Sequence, residues 1–235
     1  MTDKTRIFHF NTTSILVEFD SEINDELLEF ILSFKENLVD QDTKQILQVV
    51  NAFNSLLIIY SSTINNFYDE KKKLLQLISE VNLRKKPEAE VKKIPVCYEK
   101  DFGWDLELLS EDLGLSISEI IRKHTHAVYT VYFIGFLPGF PYLGGLDSSL
   151  YHRRKSQPRR QIPAGSVGIA DRQTGIYPLD SPGGWQIIGR SPLRLFNKEH
   201  TKQLCYLQAG DQIQFEPISK KEYESLDSQS TANTW

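Results

Sequence analysis

Sulfur is scarce in this chain of 235 residues, which has two cysteines and one methionine. Cys97 and Cys205 lie in the apolar segments IPVCY and QLCYL, a setting for reduced, buried thiols; two thiols make neither a disulfide framework nor a cysteine-ligated metal site. No apolar run approaches the roughly 20 residues that cross a bilayer. The opening MTDKTRIFHF also lacks the apolar core of a secretion signal, so a cytoplasmic protein without membrane contact is expected. Neither sign of charge dominates: 27 basic and 31 acidic residues leave −4, with no Lys/Arg-rich tail, which argues against nucleic acid as a partner. A GxxxxGKS/T phosphate loop, a GxGxxG turn after a strand and the HxH or HExxH spacings of zinc sites are missing too. The chain is therefore expected to hold no metal, and any ATP consumed would be bound by another chain.

What is abundant is concentrated. Between Gly135 and Leu195 stand ten of the 13 glycines and seven of the 10 prolines. Such density specifies many turns and excludes a long helix, because glycine opens backbone angles closed to other residues while proline fixes φ and removes a donor. Short apolar runs between the turns, Val167-Gly168-Ile169-Ala170 and Trp185-Gln186-Ile187-Ile188-Gly189, read as strands of a small barrel or sandwich.

The first 83 residues read as a separate α/β domain. Ser14 to Phe19 forms a strand, and Ile23, Leu27, Ile31, Phe34 and Leu38 then recur at helical spacing, with Ser21 or Asn24 as cap. Two strands follow, Gln45 to Val50 and Ser55 to Tyr60, and then a second amphipathic helix from about Asn66 to Leu83. Residues 84–93, RKKPEAEVKK, have too little apolar content to order themselves and read as a linker. A second domain spans residues 94–218: a strand at Ile94–Tyr98, a short helix from Asp105 to Leu113, another started by the capping-box pair Ser116 and Glu119, and a strand at Tyr129–Ile134. Residues 219–235 read as a polar C-terminal tail, either mobile or a short helix followed by a frayed end.

The blocks GFLPGFPYLGGLD, PRRQIPAGSVGIA, QTGIYPLDSPGGWQIIGR and SPLRLF resemble a family that includes the B subunit of prokaryotic 5-oxoprolinase, the kinase-A inhibitor KipI and proteins labelled allophanate hydrolase subunit 1. It is similar to part of the carboxyltransferase domain of urea carboxylase. VVNAFNSLLIIY resembles the family's strand-turn-strand block, with Asn51 where a proline is usual. The resemblance implies an α+β fold, a small α/β domain followed by a cyclophilin-like β-barrel. It also implies ATP-dependent ring opening of 5-oxo-L-proline to glutamate, shared with the A and C subunits of 5-oxoprolinase as partners. Two other roles stay open: inhibition of a sensor histidine kinase, and a carboxyltransferase-like role, for which this chain has no biotin-acceptor Met-Lys motif.

His124 matches the histidine that the family places before the GFxPGFPYL block, where an imidazole can act as acid or base or bind a carboxylate as a cation; a histidine settled at a helix C-terminus is the plainer alternative. Arg160 is the preferred guanidinium of the basic cluster Arg153, Arg154, Lys155, Arg159 and Arg160, the others being expected to face solvent. Ser166, Gln173, Thr174, Tyr177 and Ser181 are candidate substrate contacts at a barrel mouth. Phe136, Pro138, Gly139, Phe140, Tyr142, Pro182, Gly183, Gly184 and Trp185 are candidates for a partner groove if exposed, and core if buried.

Overall fold

Burial alternates along β2 (Ser14–Phe19) and β4 (Ser55–Tyr60), turning one face of each strand to a core. The computed structural model describes residues 5–41, 45–83, 90–200 and 203–230, which fall into two compact units, Met1–Glu88 and Ala89–Trp235.

In the first unit β1 (Thr5–Asn11) and β3 (Ile46–Asn51) flank these strands in the antiparallel order β1-β2-β4-β3. Sequence reasoning missed β1, because Ile7 is its one buried residue. Helix α1 (Asp25–Gln41) begins after Asn24, whose Oδ1 accepts the N–H of Leu27 at 2.9 Å. Ile23 therefore precedes the helix and is 50% exposed rather than part of its apolar stripe. Helix α2 (Phe67–Ser79) is capped by Asn66, which accepts from the N–H groups of Tyr68 and Asp69. Leu27, Ile31 and Phe34 of α1 and Leu74 and Ile78 of α2 meet Val17, Phe19, Leu56 and Ile58 in one core. Each such side chain contributes about 1.5–3 kcal/mol on burial.

Of the expected linker 84–93, residues 84–89 lie outside the described residues, and its end is corrected. Lys92 and Lys93 open strand β5 (Lys92–Cys97), which pairs in parallel with β13 (Gln212–Ile218). The Lys92 ammonium pairs with Asp211 at 2.7 Å, so this basic residue can enter the sheet without an uncompensated charge.

The second unit is built on a closed barrel. Its other strands are β6 (Tyr129–Ile134), β7 (Pro141–Gly144), β9 (Ser166–Ala170), β10 (Gln173–Ile176) and β12 (Gln186–Arg190). They close in the order β10-β7-β6-β13-β5-β12-β9, antiparallel everywhere except at β13 and β5. The expected α+β class with a barrel is thus present, and closure leaves none of the seven strands with an open edge. Ile94, Val96, Val131, Leu143, Ile169 and Ile213 fill the interior. A two-stranded ribbon, β8 (Arg159–Ile162) with β11 (Ser181–Gly183), carries the Gly/Pro-rich loops.

Helices α3 (Leu106–Leu113) and α4 (Ile117–His126) pack on this unit, and Ser116 and Glu119 form both halves of the expected capping box. The polar tail contains a helix. Lys220–Ser230 form α5, whose Tyr223 is 9% exposed and packs at 4.5 Å on Phe102 in a cluster with Cys97. A sequence signal was present: Ser219 and Glu222 form a reciprocal capping pair. Residues 231–235 lie outside the described residues. No helix among the described residues is long and apolar enough to cross a membrane.

Candidate functional site

Helical periodicity puts Ile120 and His124, four residues apart, on the buried face of α4. His124 is 0% exposed and stacks on Phe215 with ring centroids 4.4 Å apart. Its Nδ1 lies 2.8 Å from the Tyr98 hydroxyl and its Nε2 lies 3.0 Å from Thr174 Oγ1. Thr174 donates its one hydroxyl proton to the Gly168 carbonyl at 2.9 Å. Nε2 must therefore carry the imidazole proton and donate it to Thr174, while Nδ1 accepts from Tyr98. Burial lowers the pKa of this histidine to about 3, so the ring is neutral at physiological pH. Both nitrogens are occupied. In this arrangement His124 ties α4 to β10 and cannot serve as the cation that the sequence allowed.

The basic cluster is organised by a residue that sequence reasoning passed over. Asp105 stands at the N-cap position of α3 without capping it. Its carboxylate instead receives both terminal nitrogens of Arg159, at 2.8 and 2.7 Å, the Lys155 ammonium at 2.8 Å and the Ile187 N–H at 2.6 Å. Burial acts to raise its pKa, but the donors from Arg159, Lys155 and Ile187 outweigh it and hold the carboxyl below its ordinary value. The Arg159 guanidinium also lies 5.4 Å from the Trp104 ring. Thus the expectation that Arg159 and Lys155 face solvent is corrected: both are drawn onto a buried carboxylate. Arg160, the next residue of β8, points the other way as strand alternation requires, is exposed, and its side chain pairs with no described residue.

The five polar candidates do not share one opening. Thr174 belongs to the His124 network. Tyr177 is 1% exposed, packs in the Phe140–Trp185 cluster, and has its pKa raised by burial to about 12. Ser181 is 7% exposed and donates to the Pro182 carbonyl at 3.2 Å. Ser166 is buried, and its Oγ has no hydrogen-bond partner among the described residues. Only Gln173 is half-open to solvent.

The expected aromatic groove is likewise corrected. Phe140 and Trp185 are 1% and 5% exposed, in mutual edge-to-face contact at 5.2 Å, so they are core. Tyr142 is half-buried against Phe133, the rings stacked at 4.2 Å. What remains outside is a tip. Phe136 is 64% exposed and holds a φ of 66°, a strained angle for a bulky side chain, beside exposed Pro138 and buried Gly139 with a φ of 85°. Exposed Pro182 precedes half-buried Gly183 and Gly184 in a second loop.

Among the described residues no group of three or more His, Cys, Asp or Glu side chains is placed to hold a metal ion. Asp105 and Tyr98 are the polar residues of these networks that sequence reasoning missed. An Asp at a helix start reads as a cap, and only the fold shows that its partners lie elsewhere.

Residues 5–207 match the family described as carboxyltransferase domain, subdomain C and D. The 5-oxoprolinase B subunit of Bacillus subtilis (strain 168) is 35% identical over 240 residues, covering 98% of this chain and all of that one. Two solved structures are longer. TTHA0988 is 31% identical with a TM-score of 0.76, and the match covers 88% of this chain and 40% of that chain. The urea carboxylase of Kluyveromyces lactis superposes with a TM-score of 0.80 at 20% identity, a likeness of fold, over 96% of this chain and 23% of that one.

Proposed function

The chain belongs to the carboxyltransferase-domain family, subdomains C and D, and from that premise we propose that it is the B subunit of an ATP-dependent 5-oxoprolinase complex, which hydrolyses 5-oxo-L-proline to L-glutamate. The observation that carries this function is end-to-end likeness: both units of this chain are matched in a 5-oxoprolinase B subunit, and nothing of that protein is left over.

A five-membered lactam resists hydrolysis because its amide is stable. Phosphorylation of the carbonyl by ATP activates it, and water then opens the ring. This sequence carries no phosphate loop, so the nucleotide is assigned to a partner, the A subunit, and the barrel unit to contact with the C subunit. The tip at Phe136 and Pro138, with the neighbouring Gly139 turn, offers the partner an exposed aromatic anchor on a fixed backbone. Pro182, Gly183 and Gly184 offer a second contact. Arg160 and Gln173 are the polar candidates open enough to reach substrate or a partner group. His124, Ser166, Thr174, Tyr177 and Ser181 support that surface from inside. On this assignment the chain is part of a cytoplasmic hydrolase and works only in the complex.

The test is ATP-dependent glutamate formation from 5-oxo-L-proline, with this chain and its candidate A and C partners, each omitted in turn. Activity that needs this chain supports the assignment. Turnover by this chain alone, or none by the complete complex, overturns it; in the second case binding to a sensor histidine kinase becomes the next assay.

A further inference from the structure

Trp104 stands just before α3 with 40% of its surface exposed, yet its ring is held by three contacts. The indole Nε1 donates to the Asp101 carbonyl at 2.9 Å, and the guanidinium carbons of Arg159 and Arg190 lie over the ring at 5.4 and 6.0 Å from its centre. Cation–π attraction acts at these distances. A side chain that faces solvent is thus fixed in place, which solvation alone does not require. Leu108, one helical turn further on and also 40% exposed, extends the apolar surface.

Charge around this ring does not balance. Arg159 is bonded to the Asp105 carboxylate, which also holds Lys155. Arg190 is half-buried, with its guanidinium 5.3 Å from the Phe102 ring as well, and no carboxylate among the described residues pairs with it. Three cations, Arg159, Arg190 and Lys155, therefore stand against one carboxylate, Asp105. The acidic neighbours do not make up the difference, since Asp101 is paired with Lys220 and Glu107 with Lys100. Positive charge taken partly out of water without a counter-charge is costly, and an anion laid over this face relieves the cost.

We propose that Trp104, with Leu108 beside it, is a docking site for an acidic segment of a partner protein. Trp and Arg are the residue types that dominate binding hot spots, and a ring already immobilised loses little entropy when a partner covers it. An apolar side chain of the segment packs on Trp104 and Leu108, while its carboxylates neutralise the surplus carried by Arg159, Arg190 and Lys155. Complementary charge of this kind also speeds encounter and makes binding sensitive to salt. The proposed oxoprolinase function gives the barrel unit to the C subunit, so the choice of C as the bearer of that segment rests on that reading. The demand for an acidic segment comes from the surface itself.

Titration calorimetry of the full chain with the candidate C partner, at low and at physiological salt, tests this. Affinity should be higher at low salt, and Trp104→Ala should weaken it at least roughly tenfold. Two substitutions at exposed Leu108 separate charge from packing and from folding. Leu108→Glu should weaken binding, most of all at low salt, whereas Leu108→Lys should weaken it far less. Unchanged affinity in Trp104→Ala, equal losses in the two Leu108 variants, no dependence on salt, or no binding by the wild-type chain would overturn the site. Phosphatidylserine vesicles that bind the wild-type chain but not Trp104→Ala would assign the face to a membrane and overturn it as well. Turnover by the complex with unchanged affinity in these variants would sink the docking site and leave the oxoprolinase function. Charge-dependent binding to the C partner in a complex that forms no glutamate would do the reverse.

Discussion

Asp105 and Ile187, 82 positions apart, hold each other by two hydrogen bonds: the Asp105 N–H donates to the Ile187 carbonyl at 2.8 Å, and the Ile187 N–H donates to Asp105 Oδ2 at 2.6 Å. A side-chain oxygen thus takes the place of a strand partner, and the same carboxylate gathers Arg159 and Lys155. Helix, strand and basic loop meet at one residue.

Asp105→Ala should therefore destabilise the barrel unit by about 3–5 kcal/mol, because it leaves two cations and a buried N–H without their acceptor. Urea unfolding followed by tryptophan fluorescence checks this. A loss below 1 kcal/mol would mean that the hub is ornamental. The folded carboxyl titrates below its ordinary value, so its contribution is full above about pH 4. It is lost as pH falls through the folded pKa.

His124 gives the opposite kind of group, a base that folding keeps neutral. The unfolded chain binds its proton near pH 6.5, the folded chain near 3. Between these values the unfolded state holds more protons, so this contribution to stability is complete above about 6.5 and shrinks as pH drops toward 3. His124→Gln should cost about 2 kcal/mol at pH 7 and show a smaller fall in the urea midpoint between pH 7 and 5 than the wild type. An equal fall in both proteins would show that His124 is not the buried neutral group described here.

Phe136→Ala should leave the urea midpoint within about 0.5 kcal/mol of wild type, since the ring is mostly in solvent. If the tip is the partner anchor, affinity for the candidate C partner should fall at least roughly tenfold, as at interface hot spots. Unchanged binding by titration calorimetry would move the interface elsewhere.

Gly165 has a φ of 80°, and a Cβ there would collide with the Ser191 carbonyl. Gly165→Ala should cost more than about 2 kcal/mol, because backbone strain and a backbone clash act together. Normal soluble yield and an unshifted melting temperature would count against the tight turn.

Local signals in the sequence were read well and long-range ones poorly. Ser55–Tyr60 and Tyr129–Ile134 are strands over the expected residues, and the Ser116/Glu119 box starts a helix, because each is decided by neighbours a few residues away. The Gly/Pro blocks carried the barrel through the resemblance they bear. Arg159 and Arg160 show the limit. Which of two adjacent arginines turns toward a buried carboxylate depends on strand parity and on Asp105, 54 residues from Arg159. The aromatic loop residues failed for a related reason: Phe136 and Phe140 are alike in composition, and only the fold decides that one is tip and the other core.

Strand β5 pairs in parallel with β13, the last strand of the barrel, and 119 positions separate Lys92 from Asp211. On a translating ribosome the first unit can emerge and settle early, whereas β5 must stay unpaired on that side until almost the whole chain has been made. At roughly 5–20 residues per second this is a delay of about 6–24 s. During that time Ile94 and Val96, fully buried in the finished barrel, are exposed next to an open strand edge. Release of the C-terminal strand, rather than assembly of the individual hairpins, sets when the barrel can close. Nascent chains stalled before Gln212 should thus be the form that chaperones retain.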